Sequence, residues 1–320
     1  MKYFDLFDGG QIPAIGLGTW KSDPQLLQQA VQFAINSGYQ HIDCASIYQN
    51  EAVIGDALHY VLAQNIVDRE QLWITSKLWN SSHRPEDVLP ACKATLKALR
   101  LDCLDLYLMH WPIAVAPHVG VSFPDVNVAD NFLTLDEVPI KDTWQAMEEL
   151  VSSGLVRYIG VSNFSQTKLK KLLPKTNIHP AVNQIENHPF LAQFDLVNYC
   201  NDNKILVTAY SPLGSGDRAS TFKGKGEPRL LTDTTILSIA EAHTGTPAQV
   251  LLAWQLQRGI AVIPKSTNEA RITENLAALN IKLSADEMAM IDKLDRNHRY
   301  LNAKFWEGKG SPYTAKNIFD

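Results

Sequence analysis

Short apolar runs alternate with stretches of helical period along most of the chain. Ile15-Gly-Leu-Gly-Thr19 reads as a strand. The next stretch, 24–36, sets Leu26, Leu27, Ala30, Val31, Phe33 and Ala34 on one broad face, the spacing of an amphipathic helix. Pro24 suits its first turn and Gly38 its C-terminal stop. The unit then recurs. Strand-like runs fall at 41–43, 72–77, 104–110, 158–162, 181–185, 205–210 and 259–263, and helix-like stretches at 51–62, 85–99, 141–153, 165–173, 193–201, 234–243 and 269–279.

Eight strands and eight helical stretches are enough to close a parallel barrel. The fold class expected is therefore α/β, a (β/α)8 TIM barrel. With no Pro/Ser/Gly-rich linker and no tandem repeat, the chain reads as one domain over 1–320. The rival, an open doubly wound sheet, announces itself with GxGxxG after its first strand, and here only Gly16-Leu-Gly18 stands there. The stretch 4–13 reads as a β-hairpin turning at Asp8-Gly9, placed to plug the bottom of a barrel. Two segments break the rhythm, 113–139 after the fourth strand and 214–229 after the seventh. Both belong to the C-terminal face, where long connections are usually functional. The tail, 299–320, is irregular and carries Phe305, Trp306 and Tyr313.

Composition narrows the function. A net charge of -5 argues against a nucleic-acid partner, which would require a basic stripe. Cys44, Cys92, Cys103 and Cys200 form no CxxC pair and no Cys/His cluster, so neither zinc nor a disulfide framework is expected. Free thiols suit a reducing compartment. Met1-Lys2-Tyr3-Phe4-Asp5 lacks an apolar signal core, and no run reaches the roughly 20 apolar residues of a membrane span. A cytoplasmic protein is expected.

A barrel of this kind carries its chemistry at the C-terminal ends of its strands. Strand two ends in Asp43, with Tyr48 in the loop beyond. Strand three ends in Lys77 and strand four in His110. Taken singly, each has a plain structural explanation: a helix cap, a packed ring, a snorkelling lysine, a core histidine. Three ionisable groups from successive strands, with a tyrosine, at one mouth are harder to dismiss. A tyrosine titrates near 10, and a nearby ammonium stabilises the phenolate and lowers that value. A carboxylate keeps the lysine charged and oriented, and a neutral imidazole can hydrogen-bond a carbonyl oxygen. Together they form a general acid for carbonyl reduction, with no metal and no nucleophile.

The other strand ends suit a bound cofactor. Ser162, Asn163 and Gln184 can hold a carboxamide, and Tyr210 can stack on a flat ring. Ser211-Pro-Leu-Gly-Ser215 with Asp217 can wrap a pyrophosphate. Lys265, Ser266, Thr267 and Arg271 gather charge and hydroxyls at the start of the last helix, a phosphate site.

The chain resembles the aldo-keto reductases, above all aldose, aldehyde and xylose reductases. The likeness runs from Ile12-Pro-Ala-Ile-Gly-Leu-Gly-Thr-Trp20 to the segment 265–275. It is carried by Gly38-Tyr-Gln-His-Ile-Asp43 through Tyr48-Gln-Asn-Glu51, by Ile74-Thr-Ser-Lys77 and by Leu106-Tyr-Leu-Met-His-Trp-Pro112. Gly160-Val-Ser-Asn-Phe164 and Ile263-Pro-Lys-Ser266 complete it. The resemblance implies a catalytic tetrad of Asp43, Tyr48, Lys77 and His110. It implies an extended dinucleotide held by Thr19, Trp20, Asp43, Ser162, Asn163, Gln184, Tyr210, Ser211, Leu213, Ser215 and Asp217, then by Lys265, Ser266, Thr267, Arg271, Glu274 and Asn275.

The activity implied is hydride transfer from NADPH to an aldehyde or aldose, or the reverse on an alcohol, by a monomer. NADH serves as well in some xylose reductases. Trp20, Tyr48, Trp79, His110, Trp111, Phe123 and Leu301 are the expected substrate pocket. The chain departs from human-type aldose reductases in a longer 113–139 loop, in Ser220 where a pocket tryptophan is expected, and in the tail Leu301-Asn-Ala-Lys-Phe-Trp306. Two other classes compete. A redox-silent nicotinamide-binding subunit would need a docking extension, and none is evident. A metal-dependent hydrolase would want His-x-His at strand ends, which His41-Ile-Asp43 does not supply.

Overall fold

The computed structural model describes residues 1–218, 223–224 and 226–320. Among them, eight strands run parallel: β1 Leu17–Gly18, β2 His41–Asp43, β3 Trp73–Leu78, β4 Leu104–Met109, β5 Val156–Ser162, β6 Val182–Glu186, β7 Leu206–Tyr210 and β8 Ala261–Val262. Each pairs with the next in chain order. Bridges from Ile15 to Val262 and from Gly18 to Lys265 join the last strand to the first. There the Gly16 N–H donates to the Val262 carbonyl at 2.8 Å, and the Val262 N–H to the Ala14 carbonyl at 2.9 Å. This is the expected (β/α)8 barrel, with no edge left open.

Helices α1 Pro24–Asn36, α2 Glu51–Ala63, α3 Pro85–Leu99, α4 Ile140–Ser152, α5 Gln166–Leu172 and α6 Phe194–Asp202 form the crossovers. In α1, Asp23 caps the Gln25 N–H and Pro24 opens the first turn. Its buried stripe is Leu27, Ala30, Val31, Ala34 and Ile35; Leu26, assigned to that stripe from spacing, is exposed. Two helices, α7 Thr234–Ala242 and α8 Pro247–Gln257, stand between β7 and β8 where the pattern suggested one. The second has a capping box at Thr246, but its residues from Val250 to Leu256 are all buried. A helix packed on all sides has no polar face and so no amphipathic period. Helices α9 Glu269–Leu276, α10 Ala285–Asp292 and α11 Ala315–Phe319 follow β8.

Strand alternation sends every second side chain inward, and each inward row runs from the bottom of the barrel to its mouth. Trp73, Thr75 and Lys77 share one face of β3; Leu106 and Leu108 of β4 line up with His110; Val182, Gln184 and Glu186 share one face of β6. The lower members pack on the N-terminal hairpin, whose strands Tyr3–Asp5 and Gln11–Pro13 pair antiparallel. Leu6 and Ile12 cluster there with Trp73, Leu106, Leu108, Ala181 and Val182. The hairpin is thus the expected plug, and the upper members are left for the mouth.

Over the mouth, the 113–139 segment contains a short ribbon, Ala114–Val115 paired with Phe132–Leu133. The Tyr313 hydroxyl donates to the Leu133 carbonyl at 2.6 Å and accepts from the Ala114 N–H at 2.9 Å, so the tail staples this loop. Among the described residues, no helix is long and apolar enough to cross a membrane.

Ile12 is fully buried in the plug. Ile12→Ala is expected to lower unfolding free energy by about 2–4 kcal/mol, the range for truncating a packed aliphatic side chain. Urea denaturation checks this, and a loss under about 0.5 kcal/mol would contradict the packing described.

Candidate active site

The inward side chains at the strand ends meet in one network. Lys77, fully buried, places Nζ 2.5 Å from Asp43 Oδ1 and donates to the Cys44 carbonyl at 2.8 Å. Tyr48 Oη lies 3.4 Å from the same ammonium. The other Asp43 oxygen accepts from Gln184 Nε2 at 2.7 Å. His110 faces Tyr48 edge-on, with ring centroids 6.0 Å apart, and abuts Trp79 at 5.3 Å. The predicted tetrad is therefore assembled at the barrel mouth, with Gln184 bound to it.

Burial sets the protonation states. For Lys77, burial favours loss of the proton, but the Asp43 carboxylate outweighs it and holds the ammonium above its ordinary value. For His110, burial and the Lys77 charge push the imidazole well below its usual range, so the ring is neutral. Its Nδ1 is buried and has no hydrogen-bond partner among the described residues. Tyr48 departs from the expectation that Lys77 would bring it below 10. Burial raises it to about 12; Lys77 pulls it down, and Asp43 pushes it further up. The desolvation of the phenolate is larger than its attraction to an ammonium already shared with a carboxylate.

A second set of contacts surrounds the tetrad. Asn163 Nδ2 donates to the His110 carbonyl at 3.0 Å, and its Oδ1 accepts from the Tyr210 hydroxyl at 2.7 Å. Ser162 Oγ donates to the Gln184 carbonyl at 2.8 Å, and Thr19 Oγ1 to the Asp43 carbonyl at 2.8 Å. Asn163 and Ser211 hold left-handed backbone, φ 63° and 51°, just past β5 and β7. Such conformations cost about 1–3 kcal/mol each and persist where surroundings over-determine them, as they do around Asn163.

Asp217 bridges two strand ends. It pairs with Lys21 Nζ at 2.6 Å and with Lys265 Nζ at 2.9 Å. Burial opposes its charge, but the two ammonium groups hold its carboxyl down to about 2. Lys21 also reaches Ser215 Oγ at 3.3 Å. In the sequence Lys21 is marked only as a basic residue directly after Trp20. Beyond β8, Ser266 and Asn268 form the cap of α9. Arg271 is exposed on that helix and makes no salt bridge among the described residues. Glu274 is held by Thr246 at 2.7 Å, and Asn275 is buried. Leu213 is half-buried against the core.

Beside His110 the aromatic side chains form a cluster in which Trp79, Trp111 and Trp306 are buried. Trp20 lies 6.4 Å from Tyr48, and Trp79 contacts Phe123 at 5.2 Å and Trp306 at 5.8 Å. Trp111 meets Trp306 and Phe305, and Leu301 packs on the same cluster. Trp306 and Phe305 were visible only as tail aromatics in the sequence. Ser220 lies outside the described residues. Among these residues, no group of three or more His, Cys, Asp or Glu side chains is arranged to hold a metal.

Comparison with known proteins agrees with this arrangement. The model of the aldo/keto reductase family matches residues 14–296. An aldo/keto reductase of Synechocystis is 52% identical over 320 residues, covering 100% of this chain and 97% of the relative. Aldo-keto reductase family 1 member A1 of Gallus gallus is 47% identical over 297 residues, covering 92% of this chain and 89% of that one. Among solved structures, the aldose reductase from Schistosoma japonicum superposes with a TM-score of 0.86 at 42% identity, covering 96% of each chain. The chain belongs to the aldo/keto reductase family, oxidoreductases acting on carbonyl groups.

Proposed function

We propose that the protein reduces aldehydes, aldoses or small aliphatic and aromatic aldehydes, to primary alcohols with NADPH, and that Tyr48 gives the proton. The observation that carries this is the contact chain Gln184–Asp43–Lys77–Tyr48, with His110 beside it under an aromatic wall. The aldose reductase among its structural relatives supports the substrate class.

The donor set fits an extended dinucleotide. Ser162, Asn163, Gln184 and Tyr210 suit the carboxamide and ring. Ser211 and Ser215 suit the pyrophosphate side, where Asp217 holds the ammonium groups of Lys21 and Lys265. Lys265, Ser266, Thr267 and Arg271 suit a 2′-phosphate, since a cation and hydroxyls converge at a helix start. When bound, the reduced nicotinamide supplies a hydride to the carbonyl carbon.

The chain's own groups then handle charge and proton. His110, neutral, donates a hydrogen bond to the carbonyl oxygen and orients it. Tyr48 Oη carries a proton at any physiological pH and transfers it to that oxygen. An alkoxide is about as basic as hydroxide, whose conjugate acid has a pKa of about 15.7, so the transfer from Tyr48 is downhill by roughly four units. Lys77 stabilises the phenolate left behind, Asp43 keeps Lys77 charged, and solvent returns the proton. On this reading the chain works as a monomer, as one domain over 1–320, and in the cytoplasm. Four cysteines without disulfides support a reducing compartment.

Tyr48→Phe is expected to lower kcat for aldehyde reduction by about 10²–10⁴-fold, with NADPH binding little changed. A variant near wild-type rate would remove Tyr48 from the chemistry, and a native protein that binds NADPH but reduces no aldehyde would favour the redox-silent reading. The pH profile follows from the same groups. Tyr48 loses its proton only near 12 and His110 gains one only well below 6.5, so reduction should be flat across neutral pH. A limb with apparent pKa near 7 would contradict this. Arg271→Gln is expected to weaken NADPH by about 10–100-fold, the worth of a charge-assisted hydrogen bond, and to leave NADH unchanged. Titration of both cofactors decides it; equal affinities in the native protein would overturn the preference.

A further inference from the structure

Tyr300 joins three parts of the site. Its N–H donates to Glu186 Oε1 at 2.6 Å, and the next N–H, of Leu301, donates to Oε2 at 2.8 Å. Glu186 ends β6, fully buried, two residues past Gln184 on the same inward face. His188 Nε2 lies 2.9 Å from Oε1. Burial pushes this carboxyl up, yet His188, Arg299 and the tail N–H hold it below its ordinary value. The barrel rim thus grips the start of the tail with a charged acceptor whose two oxygens are both filled.

The far side of Tyr300 meets the segment after β7. Arg218, 4% exposed, directly follows Asp217. Its guanidinium donates to the Ser215 carbonyl at 3.0 Å, to the Tyr300 carbonyl and to the Glu227 carboxylate. It also lies 5.0 Å from the Tyr300 ring. The Tyr300 hydroxyl donates to the Pro228 carbonyl at 2.9 Å. Gly214, at φ +73°, brings its backbone onto the ring; a Cβ there would lie 3.2 Å from Tyr300 Cε2. A planar guanidinium presents its donors in one rigid plane, so the three acceptors are held in a fixed geometry that the rotatable ammonium of a lysine does not impose.

The neighbours of these two residues give the arrangement its meaning. Asp217, one residue before Arg218, spans Lys21 and Lys265 beside the proposed cofactor groove. Leu301, one residue after Tyr300, opens the tail that brings Phe305 and Trp306 onto Trp79 and Trp111. The side chain of Arg218 thus touches both the Ser215–Asp217 stretch and the start of the tail, alongside the packing of Gly214 on the Tyr300 ring.

We propose that Arg218 is a positioning residue that couples the two binding events: seating of the dinucleotide beside Asp217 fixes, through the Tyr300 carbonyl, the placement of Leu301 and Trp306 over the substrate. This rests on the function proposed above. Coupling of this kind is reciprocal, so either ligand tightens the other by the same factor.

NADP+ with benzaldehyde tests it at equilibrium, because both are oxidised and no turnover occurs. In the native protein, saturating benzaldehyde should lower the Kd of NADP+ by about fivefold or more. In Arg218→Met, which keeps the aliphatic bulk, the factor should fall below about twofold while each ligand still binds alone. In the steady state this variant should raise KM for benzaldehyde far more than it changes kcat. If Arg218→Met does not fold, Glu227→Gln takes its place; it keeps the arginine, removes its charge partner, and should lose part of the coupling. Tyr300→Phe, which keeps both backbone bonds of Tyr300, should retain most of it.

An unchanged factor in the folded arginine variant, or in Glu227→Gln where that variant stands in, would overturn the proposal. So would a native protein in which benzaldehyde leaves the Kd of NADP+ unaltered. A native protein that neither binds NADP+ nor reduces benzaldehyde with NADPH would instead overturn the functional reading beneath it.

Discussion

The mouth of this barrel depends on one buried ion pair. Lys77 and Asp43 are both essentially excluded from water. Each charge costs several kcal/mol to bury, and the pair survives only because its remaining valences are filled. Gln184 occupies the second Asp43 oxygen, and the Cys44 carbonyl and Tyr48 hydroxyl take up the ammonium. The ends of β2, β3 and β6 are thereby held in register by charge, where the lower barrel is held by packing. Removing either partner would leave an unpaired buried charge, a penalty of about 3–5 kcal/mol. The same pair shapes the electrostatics: Asp43 holds Lys77 charged, Lys77 helps burial hold His110 neutral, and Asp43 adds to the burial that keeps Tyr48 protonated.

Burial of the phenol explains where the sequence misled. The residue types at the strand ends were enough to assemble Asp43, Tyr48, Lys77 and His110, because a barrel puts the last inward residue of each strand at the mouth. The direction of the Tyr48 shift was not legible. It depends on how deeply the phenol is buried and on the geometry of the ammonium, and neither is encoded in spacing. Lys21 and Arg218 were missed for a related reason: the Asp217 carboxylate that holds Lys21 lies 196 residues away, and the Tyr300 carbonyl that ties Arg218 to the tail lies 82 residues away. Lys21 even sits in left-handed backbone, a conformation that sequence does not announce.

The fold itself was legible wherever elements have two unlike faces. Helix α1 could be bounded by Pro24 and Gly38 because solvent and core impose a period on it. Helix α8 could not, because Trp254 and its neighbours are buried on every side. The last strand reduces to Ala261–Val262, shorter than its apolar run, although the Ile263 N–H still donates to the Ala209 carbonyl at 3.2 Å. The ribbon Ala114–Val115 with Phe132–Leu133 spans too few residues to alternate, and it exists because Tyr313 of the tail ties it down.

A barrel of this design separates stability from chemistry along each strand. Trp73, Leu106 and Val182 at the bottom pack on the plug, while Lys77, His110 and Gln184, further along the same inward faces, carry charge and hydrogen bonds. Rigid strands thus bring polar groups into a low-dielectric mouth without loosening the core that pays for their burial. Substrate choice cannot be built in the same way, because the strand ends are already occupied. On the function proposed, it falls to the 113–139 loop, the described residues after β7 and the tail, which holds the first through Tyr313 and the second through Tyr300 and Arg218. Segments held by a few such contacts can change side chains while the ion pair beneath them stays as it is.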